Sequence, residues 1–372
     1  MPEAYLSRWR ERAALADKNR QLSDQTLSEL HTSGLLSLVC PRRAQPTLPG
    51  WPTLVRSSRT AARACASTGW LISLVGGHAA IAARLNQAFE AKLYRTGTPQ
   101  LFASASAGLD SRFWFEPEGM RVSGQWRFSS GIEHATWLIL NAPCPNHPTA
   151  GASERCLVVI AKKDVVVLDS WDTTGMRATG SHDVVTPDLL VPHHEVFPLQ
   201  HVFGHRPAGA GHEYLYCVPI VPFITTSIIG PILGCAEGAY ELHLQALARD
   251  TTAPCAIALE RAAHSGAQLT AAGALFDSLV DRLHASGQAQ RALTERELLA
   301  LKRDRSYLTH QCVEAVRRLV EHSSASLMTT ENPLHRHWRD LQTMAAHRDV
   351  HWDSAMLASA TSELHHCLNA QH

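Results

Sequence analysis

Apolar residues recur at helical spacing from the N-terminus to about residue 98. Leu27, Leu30, Leu35 and Leu36 follow Asp24, a residue type that caps helices, and the stretch from Trp51 to Leu93 continues with Ala, Leu and Ile three and four apart. Between Gln100 and Leu199 the texture changes to short alternating runs, MRVSGQWRFSS, TWLILNA, CLVVIAKKDVVVLD and SHDVVTPDLLVP, separated by Gly, Pro and Asp. A two-residue period bounded by turn formers predicts antiparallel strands. Helical spacing returns after His201, with breaks near Thr251 to Pro254, Gly287 and Ser323 to Pro333, and predicts four or five long helices packed as an antiparallel bundle. The order is therefore helices over 1–98, a β segment over 99–205 and a helical bundle over 206–372, an α+β arrangement. Val218 to Ala236 carries no charge, but Pro219, Pro222, Pro231, Gly230 and Gly234 interrupt it, so it reads as a buried bundle helix and not a membrane span.

Composition narrows the function. Lys+Arg and Asp+Glu cancel at 34 each, so no field of one sign is available to hold a nucleic-acid backbone or an anionic membrane. Charged residues make up 18% of the 372, below the usual quarter, as expected of a chain that buries surface against other subunits. Nine Cys lie scattered with no CxxC pair, which indicates neither a zinc site nor a disulfide framework and suggests reduced thiols in the cytoplasm. The N-terminal MPEAYLSRWRERAALADKNR is charged and helix-like, with no apolar core of a secretory signal.

Several familiar chemistries are missing. GxxxxGK[ST], HExxH and Gly-x-Ser-x-Gly do not occur, and Gly209-Ala210-Gly211-His212-Glu213-Tyr214 lacks the third Gly of a dinucleotide loop and reads as a hinge. Ser181-His182-Asp183 is no catalytic triad, because alternate side chains of a strand face opposite ways. His347 and His351, four apart and near Asp349 and Asp353, imitate a two-His, one-carboxylate metal site, but the spacing is common and a helix face lining a pocket or interface is the plainer reading. Three uncharged segments are more informative. CASTGWLISLVGGH places His78 deep in an apolar helix; SGQWRFSSGIEHATW ends a strand in Ser129, Ser130 and Gly131; DSWDTTGMRATGSHDVV is a long turn rich in hydroxyls. Hydroxyls and exposed backbone at a strand end suit hydrogen bonding to a planar heterocycle, although a plain turn would look the same.

Taken in order, CASTGW, SGQWRFSSG, DTTGMRATGSHDVV, LLVP, RDRSYLTHQCVEAVRRL, NPLHRHWRDL and the terminal HWDSA resemble the flavin-dependent monooxygenases of the acyl-CoA dehydrogenase fold. These are the oxygenase components of two-component systems such as 4-hydroxyphenylacetate 3-hydroxylase and the steroid-degrading phenol hydroxylase. The resemblance covers nearly the whole chain. It implies an N-terminal helical domain, a middle β-barrel and a C-terminal antiparallel four-helix bundle, assembled as a homotetramer. It also implies reduced flavin, FAD or FMN, from a separate flavin reductase, and O2 as co-substrate, reacting through a C4a-hydroperoxide to hydroxylate an aromatic or phenolic small molecule.

By the same resemblance Ser129 falls near flavin N5, with Phe128, Ser130 and Gly131 completing the turn, and Ser104, or else Ser106, lines the other side of the ring. His78 falls at the substrate pocket, and His347, seven residues after Asp340, near the reacting centre. Two departures separate the chain from dehydrogenases of this fold. No Glu occurs between Glu331 and Glu363 or from Pro222 to Gly230, where such enzymes carry their base, and DTTAPC follows Arg249 in place of Arg-x-x-Phe-Gly. Oxygenation or dehydrogenation of a CoA thioester, sulfur or nitrogen oxidation, and a non-catalytic flavin-fold binding protein are the alternatives.

Overall fold

The computed structural model describes residues 3–40, 50–85, 87–94, 100–143, 155–205, 214–249, 254–321 and 325–369. Helix α1 (Glu3–Asn19) buries Leu6, Trp9, Ala13 and Ala16, a stripe repeating every three to four residues. The Trp9 indole N–H reaches Glu29 Oε2 at 2.8 Å and ties α1 to α2 (Asp24–Thr32). Ser23, not Asp24, caps α2: its Oγ accepts from the Thr26 N–H at 3.2 Å, while Asp24 sits in the first turn, where a carboxylate meets the positive end of the helix. Helices α3 (Gly50–Ala62), α4 (Ala66–Ala82) and α5 (Gln87–Tyr94) follow. All of α4 except Leu74 and Gly77 is buried, the fate of a helix that is apolar all round. Gly69 lets it lie against α3, since a Cβ there would stand 2.6 Å from Ala62 Cβ.

Seven strands form one sheet in the order β5-β6-β2-β1-β3-β4-β7: β1 (Phe102–Glu116), β2 (Gly119–Ser129), β3 (Trp137–Pro143), β4 (Arg155–Ala161), β5 (Val166–Val167), β6 (His182–Pro192) and β7 (Val196–Pro198). Strand β1 joins two halves. Its first residues, Phe102 to Ala105, pair in parallel with β3, and Ser106 to Glu116 pair antiparallel with β2. Within the antiparallel half the register slips at a bulge opposite Gly124, whose φ of +138° and close approach to Ser111 Cα, 2.6 Å from a would-be Cβ, exclude other residues. The closed barrel expected from the sequence is not what forms. Among the described residues no pairing joins β5 to β7, and both edge strands are short, β7 ending in a proline that cannot donate to a further ladder. Period-two alternation still fills two cores. Leu138, Leu140, Cys156, Val158 and Ile160 pack with Trp126 and Val122 on one face, and Ile139, Leu157 and Val159 meet the helices on the other.

After α6 (Leu199–Phe203), the apolar stretch expected as one helix divides into α7 (Val221–Thr226) and α8 (Ile229–Arg249). Pro222 and Pro231 fall in first turns, where a missing N–H costs nothing. The stretch is long and apolar enough to cross a membrane, yet Ile229 to Ala236 are all buried in the fold. Helix α10 (Glu295–Val320) packs against α8, α9 (Ala256–Gln288), α11 (Pro333–Ala345) and α12 (Trp352–Asn369). The expected hinge at Gly209–Glu213 and most of the polar loop 143–151 lie outside the described residues. The expectation of reduced thiols throughout is corrected at Cys156, which is disulfide-bonded, while Cys40, Cys65, Cys217, Cys235, Cys255, Cys312 and Cys367 are free.

Candidate active site around helix α4

His78 lies on the last turns of α4 against the start of β1. Its Nδ1 is 2.8 Å from the Phe102 carbonyl and its Nε2 is 3.2 Å from Ser104 Oγ. A carbonyl only accepts, so Nδ1 carries the proton, and burial lowers the imidazole pKa and keeps the ring neutral. Nε2 is then the acceptor and the Ser104 hydroxyl donates to it. On the neighbouring strand, Ser129 at the end of β2 is fully buried and its Oγ donates to the Ser104 carbonyl at 3.4 Å, a long bond that a hydroxyl gives up cheaply. His78, Ser104 and Ser129 thus form one connected chain.

The turn after Ser129 is pressed onto α4. Gly131 has φ +71°, and a Cβ there would stand 2.8 Å from Val75 Cγ2 and 3.0 Å from Leu71 Cδ2. Its N–H donates to the Thr179 carbonyl at 2.9 Å. Ser130 Oγ accepts from the Trp70 indole at 3.3 Å and shares a 2.8 Å hydrogen bond with Ser181 Oγ, which lies 2.7 Å from Thr179 Oγ1. Phe128 departs from this buried set: it is 55% exposed, holds a left-handed φ of +64°, and stands edge-on to Trp171 at 6.1 Å with the Arg127 guanidinium over its ring. Asp183 fixes that strained backbone by accepting from the Phe128 N–H at 3.2 Å. Ser181, His182 and Asp183 each face different partners, His182 Nδ1 taking the Ser170 and Trp171 N–H groups, so they do not converge.

His347 completes the set from the C-terminal side. Its ring meets Trp70 edge to face at 5.7 Å, so the indole joins the Ser130 turn to His347. His347 and His351 do not share an α-helical face. They flank the single 3₁₀ turn Arg348–Val350, and His351 is exposed. His347 Nδ1 accepts the capping N–H of Asp349 at 3.3 Å, with Asp349 Oδ2 3.8 Å away, and burial lowers its pKa against that carboxylate's pull. The loop carrying Thr179 and Ser181 is anchored from the same direction. Gly175 abuts the Arg339 carbonyl, 2.1 Å from a would-be Cβ, and the Met176 N–H donates to buried Asp340 at 2.5 Å.

Sequence reasoning did not reach Trp70, Thr179 or Ser181 as site residues. Trp70 stood in the quoted CASTGW run and Ser181 in the SHD triplet, but only the fold shows that α4 and the long turn meet over Ser130. Ser106, the lesser alternative to Ser104, has no described side chain. The donors around α4 are hydroxyls, backbone amides and neutral imidazoles, beside an exposed aromatic ring. That set suits hydrogen bonding to the edge of a planar heterocycle.

Residues 226–352 match the family model described as acyl-CoA dehydrogenase, C-terminal domain. The chain is similar to the crystal structure of 3-HSA hydroxylase from Rhodococcus sp. RHA1, with a TM-score of 0.85 and 26% identity over 97% of this chain and 95% of that one. It is 27% identical over 378 aligned residues to the flavin-dependent monooxygenase oxygenase subunit HsaA of Rhodococcus jostii (strain RHA1), covering 97% of this chain and 96% of the relative. The chain is a flavin-dependent monooxygenase. A third similarity, 25% identity over 93% of this chain and 88% of the relative, is to the oxygenase component of an FADH2-dependent resorcinol hydroxylase from Rhizobium sp. (strain MTP-10005). In this monooxygenase the hydroxyl cluster of β1, β2 and the 175–182 turn lies over α4, with His78 near the end of that helix and His347 against Trp70 near its start.

Proposed function

We propose that this oxygenase takes reduced flavin, FAD or FMN, from a separate flavin reductase and uses it with O2 to hydroxylate a phenolic or related aromatic compound. The observation that carries this reading is the convergence on α4 of a neutral hydroxyl cluster with two histidines, His78 through Ser104 and His347 through Trp70. Bound reduced flavin supplies the two electrons and, with O2, the oxygen atom that is transferred. The chain supplies the rest. Phe128, Ser129, Ser130, Gly131 and Ser104 would form the flavin-facing turn and strand, with Ser129 and Gly131 buried, Ser104 and Ser130 half-buried and Phe128 exposed at the rim.

His347 is the base for the substrate hydroxyl. For Nε2 to take that proton, the ring carries its own on Nδ1, where Asp349 Oδ2 at 3.8 Å is the anion that steadies the resulting imidazolium. The capping bond from Asp349 N, long at 3.3 Å, is what this tautomer gives up, at about 1 kcal/mol. His78 already has Nδ1 committed to a carbonyl, so it orients Ser104 and takes no proton.

The proposed assembly is a homotetramer whose helical segment 206–372 forms an antiparallel four-helix bundle, with helical and β segments over 1–98 and 99–205. Its support is the low charge content together with exposed Leu357, Leu364 and Leu368 on α12. The test is turnover: the protein supplied with reduced FAD or FMN, O2 and a simple phenol should form a catechol, and stoichiometric H2O2 with no hydroxylated product across a phenol series overturns the reading.

A further inference from the structure

Arg305, on α10, is 6% exposed. Its Nη1 donates to Thr226 Oγ1 at 3.2 Å and to Thr225 Oγ1 at the end of α7. The remaining edge is unused: Nε is buried with no partner, and Nη2 makes no hydrogen bond among the described residues. No carboxylate forms an ion pair with it among those residues, and the anion whose field reaches it is that of Asp349. Several other buried or half-buried arginines have more partners. Arg84 donates to the carbonyls of Val202, Gly204, Leu215 and Val218, while Arg12 and Arg339, each with one orphaned nitrogen, are paired with Glu29 and Asp17. A guanidinium held from water with no counter-ion is costly, and it persists where an anion completes it.

The surroundings of Arg305 indicate what the anion belongs to. The neighbouring Ser306 hydroxyl lies 3.5 Å from the His351 carbonyl, so this turn of α10 abuts the Arg348–Val350 turn that carries His347, and the Arg305 charge is felt at the His347 ring. Nε and Nη2 together form the side of the guanidinium that presents two parallel N–H groups, the spacing of a carboxylate's two oxygens. We propose that Arg305 is the anchor for a carboxylate on the aromatic substrate, so that this enzyme acts on a phenol that is also an aromatic acid. Thr225 and Thr226 hold the guanidinium plane, and the ring of the substrate extends from the carboxylate toward His347. This assignment rests on the reading of the chain as a phenol hydroxylase, and is tested by binding alone.

Calorimetric titration of the full chain with 4-hydroxybenzoate, its methyl ester and 4-methoxybenzoate separates the two oxygens of the probe. The carboxylate anchor requires both acids to bind more tightly than the ester by about 10- to 100-fold, with the methoxy acid retaining most of the advantage. Arg305→Met should remove that advantage and leave the ester within about twofold of the unaltered chain, and Arg305→Lys should restore part of it. Equal affinity for acid and ester, or an Arg305→Met protein that still prefers the acids, overturns the proposal. Should Arg305→Met fail to fold, the acid-to-ester ratio on the unaltered chain still decides. A selective, Arg305-dependent preference in a protein that hydroxylates no phenol leaves the anchor standing and removes the reaction.

Discussion

The Ser104 hydroxyl donates to Nε2 of His78 at 3.2 Å because the Phe102 carbonyl, 2.8 Å from Nδ1, leaves that nitrogen as the ring's acceptor. A buried acceptor that loses its donor costs about 1–3 kcal/mol, so Ser104→Ala should destabilise by that amount, and His78→Phe, which orphans the Phe102 carbonyl as well, by more. The double variant should lose less than the sum, with a coupling of about 0.5–3 kcal/mol. Denaturant unfolding of the four proteins measures it, and strict additivity removes the bond.

Gly131→Ala sets a methyl against Val75 and Leu71 in a left-handed turn. Strain and overpacking together should cost about 2–4 kcal/mol and weaken flavin binding, while Gly77→Ala, whose Cβ would meet Leu54 Cδ2 at an ordinary 3.6 Å, should be tolerated. Unfolding midpoints and flavin titration of the two variants check the difference.

The helical and β segments were legible because periods of 3.6 and 2 are local properties of the chain, and α4 was marked by its unbroken apolar run. Whether the sheet closes was not legible, since it depends on the lengths of β5 and β7 and on the bulge at Gly124. His78, Ser104 and Ser129 lie 26 and 25 residues apart in sequence, and their contacts arise from the packing of α4 on β1 and of β1 beside β2, which no spacing displays. Trp70 and Arg305 were hidden for a different reason. Each reads as an ordinary helix residue, and what distinguishes it is a partner, or the lack of one, on another element.

Buried titratable groups act on stability in opposite senses. Burial holds His337 and His134 at about 4 against an ordinary 6.5, so unfolding takes up protons between those values; their contribution is complete above about pH 6.5 and is lost as the pH falls toward 4. Asp340 is raised by burial from 3.8 to about 7, so unfolding releases its proton, and its contribution is present at low pH and lost as the pH rises toward 7. Asp340→Asn keeps an acceptor for the Met176 N–H and removes that loss. It should stabilise the fold by about 1–4 kcal/mol at pH 8 and by little at pH 4, as read by thermal unfolding across pH. A variant no more stable at pH 8 than at pH 4, relative to the unaltered protein, contradicts this.

His347→Asn should slow hydroxylation by about 10²- to 10⁴-fold while leaving the rate of flavin reoxidation nearly intact, with partial rescue at high pH, where a phenol ionises unaided. In the unaltered enzyme burial keeps the ring neutral above its ordinary 6.5, so the hydroxylation rate should be flat there and fall only as the ring protonates at lower pH. A variant that hydroxylates at the unaltered rate removes His347 from the chemistry.

The central claim, that the hydroxyl cluster over α4 holds a reduced flavin during its reaction with oxygen, is tested by mixing the protein with reduced FAD or FMN and then with O2 in a stopped-flow instrument. Reoxidation slower than that of the free flavin, hastened by Ser129→Ala with a matching rise in H2O2, is the result this account predicts. Reoxidation at the free-flavin rate with both flavins would contradict it.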